Sequence, residues 1–319
     1  MRQDYRAIAL SIQTLSMTQA PRQDLFFSSQ GLRCAAWFYP APGVTPSALV
    51  IMAHGLGATR ELGLDAYALR FQSAGLGVLV FDYRHYGGSE GEPRELMSVG
   101  KQLDDWRAAI AFGKTLPNID PNRVAIWGSS FGGGHVMRLA SEELGVAAAV
   151  SQVPFSNGLA SMLKIPMFTA LLITLNGLLD LVRHLLGLSP RYIGLIGRPG
   201  EVAMMTAADC MEGYMKLVPP ELLASGAWRN RICARTGLTV YMPGRRAAKI
   251  TIPILFAIAE NDTIAPAAPT HAIAGRVARA EVKSYPNGHF DYYSGAGFEQ
   301  IVADELEFLT RHLARLRVA

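Results

Sequence analysis

Cysteine, charge and long uninterrupted apolar runs are all scarce in this 319-residue sequence. The 3 cysteines (Cys34, Cys210 and Cys233) are widely spaced and form no C-x-x-C pair, so we expect buried thiols rather than a disulfide framework or a metal site. Charged residues make up 18% of the chain, and no Lys/Arg run reaches the density of a nucleic-acid patch despite the net charge of +4. We therefore expect no nucleic-acid partner.

The N-terminal region has only a short apolar stretch, residues 7–10. A secretory signal peptide needs an apolar segment of roughly 7–15 residues. A cytoplasmic location is therefore the expectation.

Short apolar runs alternate with helical patterns along most of the chain. Continuous apolar runs of four to eight residues are typical of strands that are buried on both faces of a parallel sheet. Strands are predicted at residues 32–39, 48–54, 77–83, 123–128, 147–153, 254–259 and 280–285. Helices are predicted at residues 64–74, 102–116, 131–144 and 297–316. This alternation predicts an α/β fold with helices on both faces of the sheet.

The alternation breaks between about residues 155 and 246, where we predict an inserted helical cap. The core would then consist of residues 1–154 and 247–319. An apolar segment at 168–187 is interrupted by Asn176, Asp180, Arg183 and His184. A membrane span needs about 18 or more apolar residues with few charges, so we expect no stable membrane insertion. An apolar helix or hairpin over a cleft is the favoured interpretation.

The sequence GSSFG at residues 128–132 fits the pattern G-x-S-x-G between a predicted strand and a predicted helix. A sharp strand-to-helix turn holds a serine in a strained conformation above the sheet edge and requires small neighbours. We therefore predict that Ser130 is a nucleophile and that the N–H group of Phe131 binds an oxyanion. The alternative is a glycine turn that only packs the helix against the strand.

A serine nucleophile needs a base, and His289 is the best candidate. It follows the last predicted strand, so it can lie over the same sheet edge as Ser130. His54, His85 and His135 compete with it. His135 belongs to the helix that follows Ser130, and His54 is interpreted as a brace for its loop.

Asp262 is the predicted acid that orients His289. It follows the strand at 254–259 and gives the chain order Ser, Asp, His. Glu260 is the runner-up. The other place for an acid, after the strand at 147–153, offers no carboxylate. Leu56, between two glycines after the strand at 48–54, is the predicted second oxyanion donor.

With these motifs in place, the chain resembles the α/β-hydrolase superfamily. The resemblance is carried by HGLG at 54–57, FDYRHYGGSEG at 81–91, GSSFGG at 128–133, END at 260–262 and NGH at 287–289. It implies a three-layer fold with a mostly parallel eight-stranded sheet, a triad of Ser130, His289 and Asp262, and no cofactor. More narrowly, the chain is similar to dienelactone-hydrolase-like and esterase- or acyltransferase-like members. Many members have D-x-R-G-x-G after the fourth strand, whereas this chain has His85 after Arg84, which predicts a bulkier loop near the site.

These features predict a serine hydrolase that cleaves carboxylic esters or thioesters with a hydrophobic acyl group. Met162, Met167 and Phe168, in the apolar part of the cap, are the predicted substrate-binding residues. An acyltransferase with the same triad is the alternative, and a non-catalytic binding module that keeps the fold is a third. A membrane-surface protein anchored by residues 168–187 belongs to a different class. An exposed apolar cap is also compatible with a homodimer.

Overall fold

The computed structural model describes residues 21–43 and 46–314. Within them, eight strands form one sheet in the order β1-β2-β4-β3-β5-β6-β10-β11. Only β2 runs against the others, because it pairs antiparallel with both β1 and β4 while the remaining neighbours pair in parallel. The strands are β1 (Gln23–Ser29), β2 (Leu32–Tyr39), β3 (Ser47–Ala53), β4 (Gly77–Phe81), β5 (Ile119–Ser129), β6 (Ala148–Gln152), β10 (Ile254–Ala259) and β11 (Ala280–Tyr285). The predicted mostly parallel sheet of eight strands is confirmed.

Helices cover both faces of this sheet, so the core has three layers. The alternation of side chains along β3 shows why its sequence is apolar throughout: Leu49 and Ile51 pack into one hydrophobic cluster, and Val50 and Met52 pack into the other. The helices of the core are α1 (Leu64–Ser73), α2 (Val99–Gly113), α3 (Phe131–Ala140), α8 (Ala267–Ala274) and α9 (Gly295–His312). α1 and α9 contribute to one cluster, and α2 and α3 contribute to the other.

The chain between β6 and β10 contains both helices and a small sheet. The helices are α4 (Gly158–Met162), α5 (Met167–Leu185), α6 (Cys210–Met215) and α7 (Pro220–Ala224). The sheet has the strand order β8-β7-β9, formed by β7 (Tyr192–Ile196), β8 (Ala203–Met205) and β9 (Ile232–Cys233). Two 3-10 helices, Ala234–Leu238 and Pro243–Lys249, lead back to the core. The prediction of a helical cap did not include this small sheet, because its strands have only two to five residues and too few positions to show a period.

Strand β1 was not predicted, because Gln23–Ser29 is a largely exposed edge strand with polar residues at both ends.

Within the described part of the chain, α5 is the one helix whose length and hydropathy would allow it to cross a membrane. Only 22% of the residues in its most apolar segment are buried. The three cysteines are buried free thiols. Burial raises the pKa of each thiol to about 12.

Candidate active site

Ser130 lies on a sharp turn between β5 and α3. Its backbone has φ 56° and ψ −117°, a combination that is strained for a residue with a side chain. A Cβ atom on Gly128 would lie 2.4 Å from the carbonyl oxygen of Gly132, and one on Gly132 would lie 2.7 Å from the carbonyl oxygen of His54. The two glycines are therefore required for the turn to close. The N–H group of Ser130 donates a 2.9 Å hydrogen bond to the carbonyl of Gln152, which ties the turn to the neighbouring strand β6.

The structure brings the three residues of the predicted triad together at the carboxyl ends of parallel strands. Ser130 follows β5, Asp262 follows β10, and His289 follows β11. Nε2 of His289 lies 3.0 Å from Oγ of Ser130, and Nδ1 lies 2.5 Å from Oδ2 of Asp262. The side chains of His289 and Asp262 are almost completely buried.

The second carboxylate oxygen of Asp262 is held by the backbone. Oδ1 accepts hydrogen bonds of 2.8 Å and 2.7 Å from the N–H groups of Ile264 and Ala265. The acid is therefore fixed in one rotamer, with Oδ2 directed at His289. Glu260, the alternative acid, is exposed and pairs with the ring of His271 at 2.8 Å, so it lies outside this arrangement.

The competing histidines have other partners. Nδ1 of His54 lies 3.0 Å from the carbonyl oxygen of Gly55, and burial lowers the pKa of His54 to about 4. His135 is buried between Tyr241 and Gln102, and burial lowers its pKa to about 3. His85 contacts Lys101 at 3.2 Å. His54 thus contacts the loop on which Leu56 lies, as the sequence suggested, and the hydrogen-bond partners of His135 and His85 are residues other than Ser130.

The two predicted oxyanion donors lie beside Ser130. Phe131 is the first residue of α3, so its N–H group has no acceptor within the helix. Leu56 lies on the loop after β3, where Gly55 approaches Ser130 so closely that a Cβ atom would be 3.0 Å from the Cβ atom of Ser130. Leu56 and Ser130 line the same two cavities, so Leu56 stays the candidate for the second donor.

Two side chains from the insertion hold this loop, and sequence reasoning missed both. The hydroxyl of Tyr214 donates to the carbonyl of Leu56 at 3.1 Å, and Nε1 of Trp228 donates to the carbonyl of Gly57 at 3.3 Å. The two rings stack on each other, with centroids 5.8 Å apart. The only available signal was their aromatic character in a segment with no clear period.

Two cavities of different size meet at Ser130. The larger cavity, of about 130 Å³, is mostly apolar and lies between the core and the insertion. Its lining includes Leu56, Ser130, Phe131, Phe155, Met162, Ile165, Ala170, Ile173, Met204, Tyr241 and Ile264. The smaller cavity, of about 30 Å³, also contains Ser130 and Leu56 and is lined by His289, Phe290, Leu217 and Tyr214. His289 lines only the smaller cavity.

Of the three predicted substrate-binding residues, one lines the larger cavity and two are exposed to solvent. Met162 lines the larger cavity. Met167 and Phe168 do not, since they are 89% and 69% exposed at the start of α5, and their prediction as lining residues is corrected. The cavity is instead lined by Ala170, Ile173 and Thr174 from the next turns of this helix. Which face of an apolar helix turns inward depends on its docking and not on its composition.

The loop after β4, which the resemblance to the superfamily predicts to be bulkier, has an unusual backbone conformation at His85. His85 has φ 74°, a left-handed conformation that favours glycine. Its N–H group donates to the carbonyl of Glu90 at 2.8 Å, which holds the turn. Neither His85 nor Tyr86 belongs to the described lining of the two cavities, so this bulkier loop does not form a wall of the site. Among the described residues, no cluster of three or more His, Cys, Asp or Glu side chains could hold a metal ion.

The chain is similar to known proteins in sequence and in fold. The model of the family Hydrolase_4, described as serine aminopeptidase S33, matches residues 44–291. The chain is 40% identical over 298 residues to the quorum-quenching protein AidA of Acinetobacter baumannii, covering 93% of this chain and 96% of that protein.

Two fungal relatives are more distant. Identity is 27% over 301 residues to the polyketide transferase af380 of Aspergillus fumigatus, covering 92% of this chain and 99% of that one. Identity is 26% over 298 residues to a thiohydrolase of Eupenicillium brefeldianum, covering 91% of this chain and 94% of that one. The crystal structure of the α/β hydrolase GrgF from Penicillium sp. sh18 superposes with a TM-score of 0.77 at 24% identity, covering 93% of this chain and 100% of that one, which shows the shared fold.

Proposed function

Because this chain belongs to the Hydrolase_4 family and is a serine hydrolase of the α/β-hydrolase type, we propose that Ser130, His289 and Asp262 form its catalytic triad. The reaction is the cleavage of carboxylic esters or thioesters with an apolar acyl group through an acyl-enzyme on Ser130. The observation that carries this proposal is the continuous hydrogen-bonded chain from Asp262 through His289 to Ser130.

The chain of hydrogen bonds supports a specific proton path. As Oγ of Ser130 attacks the acyl carbon, its proton moves to Nε2 of His289, 3.0 Å away. Nδ1–H of the resulting imidazolium donates to the carboxylate of Asp262, which stabilises the positive charge. The N–H groups of Phe131 and Leu56 then bind the oxyanion of the tetrahedral intermediate, and loss of one such donor typically costs about 2.7–4 kcal/mol.

The intermediate collapses when the bond to the leaving group breaks. His289 gives its proton to the departing oxygen or sulfur, and the acyl group stays on Ser130 as an ester. Water then loses a proton to His289 and attacks this ester. The second intermediate releases the carboxylic acid and returns Ser130 and His289 to their starting protonation states.

The two cavities support one orientation of the substrate. The leaving group must lie next to Nε2 of His289 to receive its proton, and His289 lines only the smaller cavity. The acyl group then extends into the larger, mostly apolar cavity. The smaller cavity has about 30 Å³ and the larger one about 130 Å³ on the same measure, so the leaving-group side offers much less room than the acyl side. This arrangement favours small leaving groups and favours water as the acceptor.

Transfer of the acyl group to an alcohol or amine is the alternative. The name of the polyketide transferase, which is 27% identical over most of this chain, favours it. The acceptor would enter from the side of His289, where the smaller cavity leaves little room. Hydrolysis is therefore the preferred reaction.

A matched ester and thioester series tests the proposal. Acyl chains of increasing length are combined with a methyl, an ethyl and a bulky benzyl leaving group, and turnover is measured with and without an added alcohol. We expect hydrolysis of apolar acyl groups with small leaving groups, complete loss of turnover in Ser130→Ala, and a trapped acyl adduct on Ser130 by mass spectrometry.

The neighbouring serine supplies the control. Ser129→Ala alters a hydroxyl in the lining of the smaller cavity that contacts Tyr293 and Gln152 rather than His289, so it should retain measurable turnover if the protein folds. Retained turnover in folded Ser130→Ala would overturn the proposal. Transfer to the alcohol that outcompetes hydrolysis would favour the acyltransferase.

A further inference from the structure

The exposed large apolar side chains of the described residues are concentrated in one stretch, residues 159–188. We call this stretch the apolar surface. Its exposed members are Leu159, Met162, Leu163, Met167, Phe168, Leu171, Leu175, Leu178, Leu179, Leu181, Val182, Leu185, Leu186 and Leu188. Elsewhere in the described chain such side chains occur singly, at Phe26, Leu69, Leu223, Val240 and Val282. A contiguous apolar patch of this kind marks a contact with a partner or a membrane.

The inner face of α5 is fixed to the rest of the protein. Thr169, Ile173, Gly177 and Asp180 are buried at helical spacing. A Cβ atom on Gly177 would lie 2.9 Å from the side chain of Leu238, so α5 packs closely against the 3-10 helix Ala234–Leu238. The outer face therefore stays exposed along the whole helix, which is about 28 Å long at 1.5 Å per residue.

The ionisable side chains on the exposed side of the apolar surface are all basic. Asp180 is its only carboxylate, and this side chain is buried, with an ion pair to Arg235 and a hydrogen bond from the N–H of Arg191. Lys164 precedes α5, and Arg183 and His184 lie in its last turn. Basic groups at both ends of an apolar helix complement the headgroups of anionic lipids.

A second copy of the chain fits this surface less well. A two-fold axis brings the same surface of both subunits together. With antiparallel helices Lys164 would face Arg183 and His184, and with parallel helices each basic end would face its own equivalent. Like charges would meet in both cases.

Insertion of α5 across a membrane would break the contacts that its buried side makes with the rest of the protein. Insertion of α5 across a bilayer would move Asp180 into hydrocarbon and separate it from Arg235, at a high cost in desolvation. A helix that lies in the plane of the interface keeps both the ion pair and the packing of Gly177.

We propose that the apolar surface adsorbs on anionic phospholipid membranes, with α5 lying in the plane of the interface. The opposite side of the same helix lines the larger cavity through Ala170, Ile173 and Thr174. A bound membrane would thus lie directly outside the wall of that cavity. The binding itself does not depend on the proposed ester chemistry.

Vesicle flotation of the full chain tests the proposal. The vesicles contain equal parts of phosphatidylcholine and phosphatidylglycerol, or phosphatidylcholine alone. We expect binding to the anionic vesicles, weaker binding to the neutral ones, and partial release at about 0.5 M salt, where charges are screened within about 4 Å. The triple variant Leu171→Glu, Leu175→Glu and Leu178→Glu should lower the bound fraction about tenfold or more.

A matched control separates the surface from general hydrophobicity. Leu69→Glu, Leu223→Glu and Val282→Glu change three exposed apolar residues elsewhere and should bind vesicles as the original protein does. Circular dichroism reports folding in each variant, and hydrolysis of a short water-soluble ester reports the active site separately. Loss of vesicle binding is therefore distinguishable from unfolding and from failure of the proposed ester chemistry. The proposal is overturned if the original protein does not float with either vesicle, or if the triple variant binds equally well. A dimer that becomes a monomer in the triple variant, with no vesicle binding, would instead identify a subunit interface.

Discussion

The hydroxyl of Tyr214, on α6, donates a 3.1 Å hydrogen bond to the carbonyl of Leu56, on the loop after β3. The two residues are 158 positions apart in the chain. Through this bond the insertion holds the backbone of the loop beside Ser130. The rigid placement of an N–H donor matters because oxyanion stabilisation depends on where the donor lies before the reaction.

Removal of this hydrogen bond should therefore slow catalysis. Tyr214→Phe keeps the ring that stacks on Trp228 and loses only the hydroxyl. We expect kcat on a small ester to fall about tenfold with little change in KM, less than the 10²–10³-fold loss of a direct donor. Tyr192→Phe is the control, because its hydroxyl donates to the carbonyl of Arg94 instead. Equal effects of the two variants on kcat would contradict a role in positioning the loop.

The carboxylate of Asp262 should be far more important than that of Glu260. Asp262→Asn retains the size of the side chain but removes the charge opposite Nδ1 of His289. We expect kcat to fall by about 10⁴, as for the loss of the orienting acid in other triads. Glu260→Gln, which changes an exposed carboxylate bound to His271, should leave kcat within a few-fold. Steady-state kinetics on one ester, with circular dichroism as a check on folding, decides between the two acids.

The inner face of α5 should set the accepted acyl length. Ala170 lines the larger cavity, and Ala170→Phe should fill part of it and move the preference toward shorter acyl chains. Leu171→Phe adds an aromatic ring at the next position, which is exposed, and should leave the chain-length profile unchanged. Relative kcat/KM across the ester series measures both. The assignment of the cavity to the acyl group fails if the profile of Ala170→Phe matches that of the original protein.

Burial of His135 should make the fold sensitive to acid. Its pKa is lowered to about 3 by burial, whereas an unfolded histidine titrates near 6.5, so between these values only the unfolded chain takes up the proton. The free energy of unfolding should therefore fall as pH falls, by about 2 kcal/mol at about pH 5 for this residue. The effect of Asp82 on stability has the opposite sign. Burial raises the pKa of this carboxyl to about 7, so the folded protein takes up the proton first and acid stabilises it.

The contribution of His135 is isolated by comparison with His135→Gln. Glutamine retains hydrogen-bonding groups toward Gln102 and Tyr241 but does not titrate. Urea denaturation near pH 7.5 and pH 5 should show a smaller loss of stability in the variant, by about 2 kcal/mol. The effects of Asp82, His54 and His85 are common to both proteins. An identical pH dependence would contradict the buried neutral state of His135.

The predictions from sequence succeeded where local pattern and chain order carry the information. The strand at 254–259 and the turn at Ser130 are recognisable because buried strands are continuously apolar and the turn needs glycine at fixed offsets. The order of Ser130, Asp262 and His289 placed each candidate after a strand of one parallel sheet. The carboxyl ends of such strands meet at one edge, so this information was sufficient to bring the candidates together.

Other features of the structure have no recognisable local pattern in the sequence. Strand β1 is an exposed edge strand with few buried side chains, and β9 has only two residues. Met167 and Phe168 were predicted to line the pocket because they are apolar, but the docking of α5 through Gly177 turns them outward. Contacts between distant segments fix such orientations, and hydrophobicity alone does not specify them.

By itself, the sequence determined the α/β architecture, the strained serine turn and the candidates that would meet there. These depend on periodicity, on glycine at close approaches and on the order of residues along the chain. Only the tertiary structure decided that His289 lines the smaller cavity, that Tyr214 holds the loop of Leu56, and that α5 keeps an apolar face exposed. Each of these depends on how the insertion docks on the core. Docking is set by the packing of many distant side chains at once, which no local segment encodes.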